Sequence, residues 1–383
     1  NLSNVGFTPD AQYNLYAGTN AGAASDADTC YNVGLGYEAL KLLNSGDDNV
    51  AIGAGAGYKL TDGSWNVAIG KYAGYELTSA QSSVMIGCYA GWKTTDGDNN
   101  VMLGFRPGMY NTTGVGNVYL GSTAAMNRNA SYNIAIGNEA LNAAGTAADN
   151  TGGCNIALGY ESGKDITTGN NNITLGKHAG CSMETGSDNI ALGQLAMGSG
   201  TVTGCGNVVL GTNAGCKITA AYDQILIGTN AGANLDGATV AWNIMIGDKA
   251  GQGTAGCTGV SNNIFIGRYA GRDIQTASYN VAIGRQAAKC LTTTMFNTFI
   301  GNYAGCRVTG GCNTALGTYA LKGGSDITGG FNIGIGYNVE VPNATGSTQL
   351  VIGCSASNWI TGDSSFTVCL ANSTAIKAVN SGG

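Results

Sequence analysis

The chain has 383 residues, with 64 Gly, only 3 Pro, 10% charged residues and a formal net charge of −6. Scarce Pro and the lack of a strict three-residue Gly period exclude collagen, and a hydrophobic content of 43% argues against disorder. There is no basic patch and no apolar run of about 18 residues, so we expect neither nucleic-acid binding nor membrane insertion.

A short unit repeats through most of the chain and is well represented by Asn66–Gly70, which reads Asn-Val-Ala-Ile-Gly. We number each unit from its glycine, which is position 0. Asn then lies at −4, branched aliphatic residues lie at −3 and −1, and a small residue, mostly Ala, lies at +3. The sequence begins at Asn1 rather than Met, so we expect a processed product or a piece of a longer protein. Residues 1–13 precede the first unit and are predicted to be an N-terminal cap or connector.

Residues 14–353 contain 20 such units, most often 17 residues apart. This period is too short for a helical-hairpin repeat, which needs more than about 30 residues, and it suits one coil of a solenoid. We predict an all-β fold, a parallel β-solenoid of about 20 coils. Each coil should contain a short strand, a tight corner, a second extended segment such as Tyr75–Thr78, and a polar closing loop.

Side chains alternate along a strand, so positions −3 and −1 should share one face and −2 the other. The uniform aliphatic residues at −3 and −1 are interpreted as the inside of the coil. Position −2 is also apolar in most units, which is typical of a strand buried on both faces. We therefore predict that −2 packs against other chains. The residues assigned to this inter-chain face are Ala68, Met85, Met102, Tyr119, Leu226, Met245, Phe265 and Phe299.

The Asn at −4 is predicted to form a ladder of hydrogen bonds between stacked coils, because identical side chains recur at the strand spacing of about 4.8 Å. A row of ligand-binding amides is the alternative. The structural ladder is assigned to Asn49, Asn66, Asn100, Asn117 and Asn133, with Gly53, Gly70, Gly87, Gly104 and Gly121.

Aromatic side chains recur at +2, with one Trp at +5, and can offer apolar faces with a polar tip to a glycan or receptor. Packing at the corner or between chains is the alternative. The candidate binding strip is Tyr72, Tyr89, Trp92, Tyr269, Tyr303 and Tyr319.

The 12 Cys form no CxxC motif, so a zinc site is not expected. Cys290 and Cys306 should lie on adjacent coils within reach of a disulfide, and Cys306 with Cys312 is a second pair. Buried free thiols are the alternative.

Catalytic and metal-binding motifs are weak. The single histidine, His178, has no accompanying nucleophile motif, and the acidic pair Asp96 and Asp98 lies in a turn sequence where Asp is expected for structural reasons. We expect no enzymatic activity and no cofactor, with calcium in an Asp-Gly loop as the one candidate ligand.

The repeat stops after Gly353, and residues 354–383 are predicted to form a C-terminal cap or a junction. Solenoids need atypical terminal segments to cover their open strand edges.

The unit Asn-Val-Ala-Ile-Gly-x-x-Ala-Gly resembles the head repeat of YadA-type trimeric autotransporter adhesins. It is also similar to repeats of tail fibres and other structural proteins of bacteriophages, notably those of marine cyanobacteria. The resemblance covers residues 14–353 and implies a left-handed β-roll, three associated chains, and display on a virion or cell surface for attachment. Autotransporter heads have shorter coils of about 14 residues, so the 17-residue coil, the many Cys and the Trp359–Ser365 tail favour the phage fibre.

The resulting expectation is a non-enzymatic structural and attachment protein, a rigid shaft or head segment of a phage tail fibre or similar surface appendage. Its partners would be two further copies of itself and a host surface glycan or receptor. The alternatives are a bacterial surface adhesin or self-assembling extracellular filament, and a glycan-degrading tailspike.

Overall fold

The computed structural model describes residues 9–237, 240–254, 256–355, 357–365 and 368–370. The chain divides into two compact units, Asn1–Gly206 (unit 1) and Asn207–Gly383 (unit 2). Both units are built from short strands connected by turns. None of the described segments forms a helix that is both long and apolar enough to cross a membrane.

Unit 1 contains eleven strands of three residues each within its described part, and each strand pairs in parallel with the next along the chain. They are β1 Leu15–Ala17, β2 Val33–Leu35, β3 Val50–Ile52, β4 Val67–Ile69, β5 Val84–Ile86, β6 Val101–Leu103, β7 Val118–Leu120, β8 Ile134–Ile136, β9 Ile156–Leu158, β10 Ile173–Leu175 and β11 Ile190–Leu192.

Unit 2 continues the pattern with nine parallel strands and two antiparallel ones in its described part. They are β12 Val208–Leu210, β13 Ile225–Ile227, β14 Ile244–Ile246, β15 Ile264–Ile266, β16 Val281–Ile283, β17 Thr298–Ile300, β18 Thr314–Leu316, β19 Ile333–Tyr337, β20 Leu350–Cys354, β21 Ser357–Gly362 and β22 Val368–Leu370.

Each unit is therefore an all-β parallel solenoid with one coil per repeat, which confirms the fold class predicted from the sequence. Strands pair in register, so that Ala68 of β4 lies opposite Ala51 on one side and Met85 on the other. The predicted second strand is wrong for most coils. Tyr75–Thr78 lies in turn and bend structure, and in the described part of the chain this side of a coil is marked by isolated bridges alone, such as Met183 with Val202.

The assignment of the two strand faces was also wrong. Positions −3 and −1 do lie on the face opposite to −2, but the inward and outward faces were exchanged. The eight residues assigned to an inter-chain face are at most 3% exposed within a single chain, so they lie inside the coil. Positions −3 and −1 instead face outward and are partly exposed along both units. The Asn at −4 decides which face is inward. The Asn residues at this position are at most 2% exposed, and a residue two positions further along the strand faces the same way.

The core of each coil is thin and is filled by positions −2, +3 and +7. Position +3 is mostly Ala, as in Ala73 and Ala90, and +7 is often aliphatic, as in Leu60 and Leu77, all of them at most 1% exposed. The glycine at position 0 permits the close stacking of coils. A Cβ on Gly70, for example, would lie 2.6 Å from the carbonyl oxygen of Gly87 in the next coil, and the backbone there has a φ of +129° that disfavours other residues.

The Asn side chains at −4 are hydrogen-bonded from coil to coil. The Asn49 Oδ1 atom accepts from the backbone N–H of Asn66 at 3.0 Å and from its Nδ2 at 3.2 Å, and Asn66 Oδ1 accepts from the Ser83 N–H at 3.1 Å. The Asn66 Nδ2 also donates to the Ala80 carbonyl at 2.7 Å. The Asn66 side chain thus accepts a hydrogen bond from the backbone N–H of the next coil and donates one to a carbonyl of a closing loop.

A buried arginine replaces the aliphatic residue at +7 in one coil of unit 1. Arg128 is fully buried, and its guanidinium donates to the carbonyls of Leu141 at 3.3 Å, Gly152 at 2.7 Å and Ile166. Burial lowers the pKa of Arg128 to about 10, so it stays charged at neutral pH. The side chain ties the coil before the longest insertion, between Gly137 and Gly159, to the coil that follows it.

The strand direction reverses after the last repeat. β21 pairs antiparallel with β20, and β22 pairs antiparallel with β21. The predicted C-terminal cap of residues 354–383 stays a prediction, and residues 371–383 lie outside the described part of the chain. So do residues 1–8 of the predicted N-terminal segment 1–13.

Replacing the ladder residue Asn66 by Ala should lower the free energy of unfolding by about 2–4 kcal/mol, since the Ser83 N–H and the Ala80 carbonyl lose their buried partner. Asn66→Ser should cost about half as much, because Ser83 occupies the same position and accepts from the Asn100 N–H at 3.1 Å. Urea unfolding followed by circular dichroism measures both variants. Equal losses would contradict this role of the side chain.

The corrected face assignment can be tested on β15. Phe265→Ala should destabilise a single chain by about 3–5 kcal/mol, because Phe265 is completely buried in the coil. Ile264→Ala, one residue earlier on the outer face, should cost about 1 kcal/mol in a dilute, unassociated sample. The reverse order of these two losses would restore the original assignment.

Candidate functional site

Aromatic side chains of unit 1 gather at the corners of four consecutive coils. Tyr72 and Tyr89 occupy +2, Tyr58, Tyr75 and Trp92 occupy +5, and Tyr110 follows at +6 in the next coil. We call these six residues the aromatic column. Because the coils stack in register, equivalent positions lie one strand spacing apart, about 4.8 Å.

Ring contacts run through the aromatic column without interruption. Tyr58 stacks on Tyr75 with ring centroids 4.7 Å apart, and Tyr75 meets Tyr72 edge-on at 5.3 Å. Tyr72 then contacts Tyr89 at 5.3 Å, and Tyr89 contacts Trp92 at 5.9 Å. Trp92 reaches Tyr110 of the next coil at 6.5 Å.

Four of these rings line a shallow groove on the surface of unit 1. Its volume is about 280 Å³, and its walls are Tyr72, Tyr75, Tyr89 and Trp92. All four side chains are half-buried, so each ring keeps part of its surface open to solvent. The groove is apolar on its walls, and the phenol and indole groups supply polar edges.

The backbone conformation at +2 does not require an aromatic residue. Tyr72 and Tyr89 have φ values of +57° and +59°, in the left-handed region. Gly and Asn adopt this region more easily than a bulky residue does, and Gly55, Asn213 and Asn230 hold the same position in other coils. The rings at +2 therefore serve packing or recognition rather than the turn.

Three cations accompany the aromatic column without a carboxylate partner in the described residues. The Lys93 Nζ atom lies 4.4 Å from the Trp92 ring centre and the Lys71 Nζ lies 5.2 Å from that of Tyr72. The Arg106 guanidinium lies 5.7 Å from the ring centre of Tyr89. Such cation–π contacts hold the charges beside the aromatic faces.

The acidic residues at these corners are already paired. Glu38 binds Lys41 at 2.7 Å, which lowers the pKa of Glu38 and raises that of Lys41 to about 12. Glu76 binds Lys59 at 2.6 Å. Among the described residues, these two pairs leave Lys71, Lys93 and Arg106 as the cations beside the rings that have no carboxylate partner.

The other residues of the predicted strip lie in unit 2 and form separate groups. Tyr303 stacks on Tyr319 at 5.3 Å, and Tyr319 contacts Tyr337 at 6.1 Å. Tyr269 has no ring partner among the described residues and lies instead among Lys249, Arg268 and Arg272.

Sequence reasoning missed Tyr58 and Tyr75 as members of the aromatic column, together with the three cations. A signal for the tyrosines was present, because they occupy +5 in the two coils that precede Trp92. Only the inter-coil register shows that the +2 and +5 residues of neighbouring coils alternate along one line.

A second set of aromatic residues, also missed, lies at −5. These side chains are 53–64% exposed, and each has a φ between +54° and +63°. They immediately precede the ladder Asn, two residues before the outward-facing −3 position. The set is Tyr13, Tyr31, Trp65, Tyr132, Trp242, Tyr279, Phe296 and Phe331.

The weaker candidates occupy structural positions. His178 Nδ1 lies 3.1 Å from Glu161, and the Asp96 carboxylate accepts from the hydroxyls of Thr78 and Ser79 at 2.6 and 2.8 Å. Among the described residues, no group of three or more His, Cys, Asp or Glu side chains could hold a metal ion. Calcium in an Asp-Gly loop stays a prediction.

The cysteines are all free thiols. The predicted Cys290–Cys306 disulfide is therefore not formed, nor is the second pair with Cys312. Cys290 and Cys306 do lie on adjacent coils, where the Cys290 N–H donates to the Cys306 carbonyl at 3.2 Å. Burial raises the pKa of both thiols, which keeps them protonated and poorly reactive.

Comparison with known proteins adds no family assignment. The sequence matches no protein-family model, and no curated protein is similar to it in sequence.

The independence of the turn from its aromatic side chain can be tested at Tyr89. Tyr89→Asn should change the free energy of unfolding by less than about 1 kcal/mol, because relief at a positive φ offsets the lost ring contacts. Ala90→Asn is the matched control and should cost more than about 2 kcal/mol, since Ala90 is fully buried. A large loss for Tyr89→Asn alone would make the ring a structural requirement.

Proposed function

We propose that this chain is a non-enzymatic structural and attachment protein, a rigid shaft or head segment of a phage tail fibre or a similar surface appendage. Copies of the chain associate side by side, three of them by the resemblance to YadA-type heads, as left-handed rolls. The aromatic column faces outward for recognition of a surface glycan or receptor on a host cell.

The observation that carries this proposal is the outward face made by positions −5, −3 and −1. Its aliphatic residues include Ile52, Leu175 and Ile300, which are 37%, 44% and 41% exposed in the single chain. Exposed aromatic residues at −5 widen this face in some coils of each unit, such as Trp65 in unit 1 and Tyr279 in unit 2. A contiguous apolar surface of this kind marks an interaction site, because monomeric soluble proteins seldom expose one.

The size of the face is adequate for stable association. The eleven coils of unit 1, at a spacing of about 4.8 Å, and the five residues from −5 to −1, at about 3.3 Å each, give a surface of roughly 870 Å². Each partner in a standard protein interface contributes about 800 Å². A repeated face that matches itself coil by coil fits a second copy of the chain better than an unrelated partner.

The mass of the native assembly in solution tests the proposal. We expect a stable oligomer, with three chains as the specific expectation, by light scattering after size-exclusion chromatography. A stable, soluble monomer would contradict it. Release of reducing sugars from a host polysaccharide would instead favour the glycan-degrading spike.

A point variant locates the interface. Ile52→Glu should reduce the assembly to monomers without unfolding the coil, because it buries a charge in the apolar face between chains. Ser45→Glu is the matched control, with the same charge change at an exposed loop position, and should leave the mass unchanged. An unchanged mass for Ile52→Glu would exclude this face as the contact between copies.

A further inference from the structure

We propose that the groove of the aromatic column binds an acidic glycan, a pyranose chain that carries carboxylate or sulfate groups. This inference rests on the proposed attachment function and names the class of ligand. Four observations support it, namely the repeat of the rings, the open groove, the three free cations and the pairing of the nearby acids.

The rings recur along the direction of coil stacking. Tyr58, Tyr75 and Trp92 present one ring per coil at +5, with Tyr72 and Tyr89 between them at +2. The rise of one coil is comparable with the advance per residue of an extended pyranose chain. Successive sugar rings laid along the groove can therefore each contact one of the aromatic rings through apolar C–H groups, while the phenol and indole groups reach the hydroxyls.

The cations give the groove its charge preference. Lys93, Lys71 and Arg106 lie against the rings of Trp92, Tyr72 and Tyr89, and none has an ion-pair partner among the described residues. An anionic substituent on a sugar stacked in the groove would meet one of these charges, and Arg106 can bind a carboxylate or sulfate through two N–H groups.

The glutamates near the rings, which would repel such a ligand, are neutralised by ion pairs, and the aspartates of the closing loops are held by hydrogen bonds. Glu38 and Glu76 are paired with Lys41 and Lys59. In the closing loops, Asp96 accepts from the hydroxyls of Thr78 and Ser79, and Asp98 accepts from the Gln81 N–H at 2.7 Å. The chain is acidic as a whole, with a net charge of −6, so free cations gathered at one aromatic groove are a specific local feature.

The test is calorimetric titration of the native protein with three oligosaccharides of equal length, namely oligogalacturonate, chondroitin sulfate and a neutral cello-oligosaccharide. We expect the acidic probes to bind, with an affinity that falls as salt rises. Oligogalacturonate carries carboxylates alone, whereas chondroitin sulfate carries both carboxylates and sulfates, so binding of chondroitin sulfate alone would indicate recognition of the sulfate groups. Equal affinity for the neutral probe, or no binding of either acidic probe, would overturn the inference.

Variants assign the binding to this groove. The triple variant Lys71→Gln, Lys93→Gln, Arg106→Gln should weaken acidic-glycan binding by about tenfold or more. Trp92→Ala should weaken it by a similar factor without changing the salt dependence. The matched control, Lys177→Gln, Lys217→Gln, Lys289→Gln, removes the same charge elsewhere and should bind normally. If both triple variants weakened acidic-glycan binding equally, the effect would be due to the net charge of the protein, and the assignment of the binding site to this groove would be wrong.

The native mass of each sample separates this inference from the proposed function. An oligomer that binds no acidic glycan overturns the inference and leaves the structural role intact. A monomer that binds through the groove contradicts the assembly and supports the site.

Discussion

The buried amide at −4 is the constraint on which the rest of each unit depends. A polar group inside so thin a core is costly unless its donors and acceptors are satisfied. The Asn side chain achieves this only when coils stack in register, since its oxygen accepts from the next strand and its nitrogen donates to a closing loop. It therefore fixes the register and the inward face of every strand together. Position −2 then faces inward, and −3 and −1 are left outside.

Because the strands pair in register, residues at the same position of successive coils lie next to one another and form a continuous row of side chains. A Tyr at +5 in one coil is a half-buried side chain, whereas Tyr75 and Trp92 at +5 in two neighbouring coils line a groove together with the rings at +2. The same logic makes the aliphatic residues at −3 and −1 a continuous outer face. In such a fold, a surface feature arises from residues at equivalent positions of successive coils. The closing loops mainly carry the variation in coil length.

The unusual composition follows from the geometry of the coil. Small residues at +3 and Gly at position 0 let neighbouring backbones approach, as the 2.6 Å clash of a Cβ on Gly70 shows. The remaining core volume is filled by −2 and +7, which is why −2 ranges from Ala68 to Phe265. Where the core must span the longest insertion, Arg128 bonds three carbonyls from inside, a task that an aliphatic side chain cannot perform.

The sequence by itself determined the repeat, its period, the parallel β-solenoid and the special positions of Asn and Gly, because each follows from residue types that recur at a nearly constant spacing along the chain. It also established that −2 and −3 face opposite ways. Only the tertiary structure decided which of them faces inward, because both positions are apolar. The hydrogen bonds of the Asn side chains, which decide it, join residues about 17 positions apart. For the same reason, the aromatic column was visible only in part. Tyr72, Tyr89 and Trp92 could be named from their positions in the unit, but Tyr58, Tyr75 and the free cations are placed beside them by the stacking of coils.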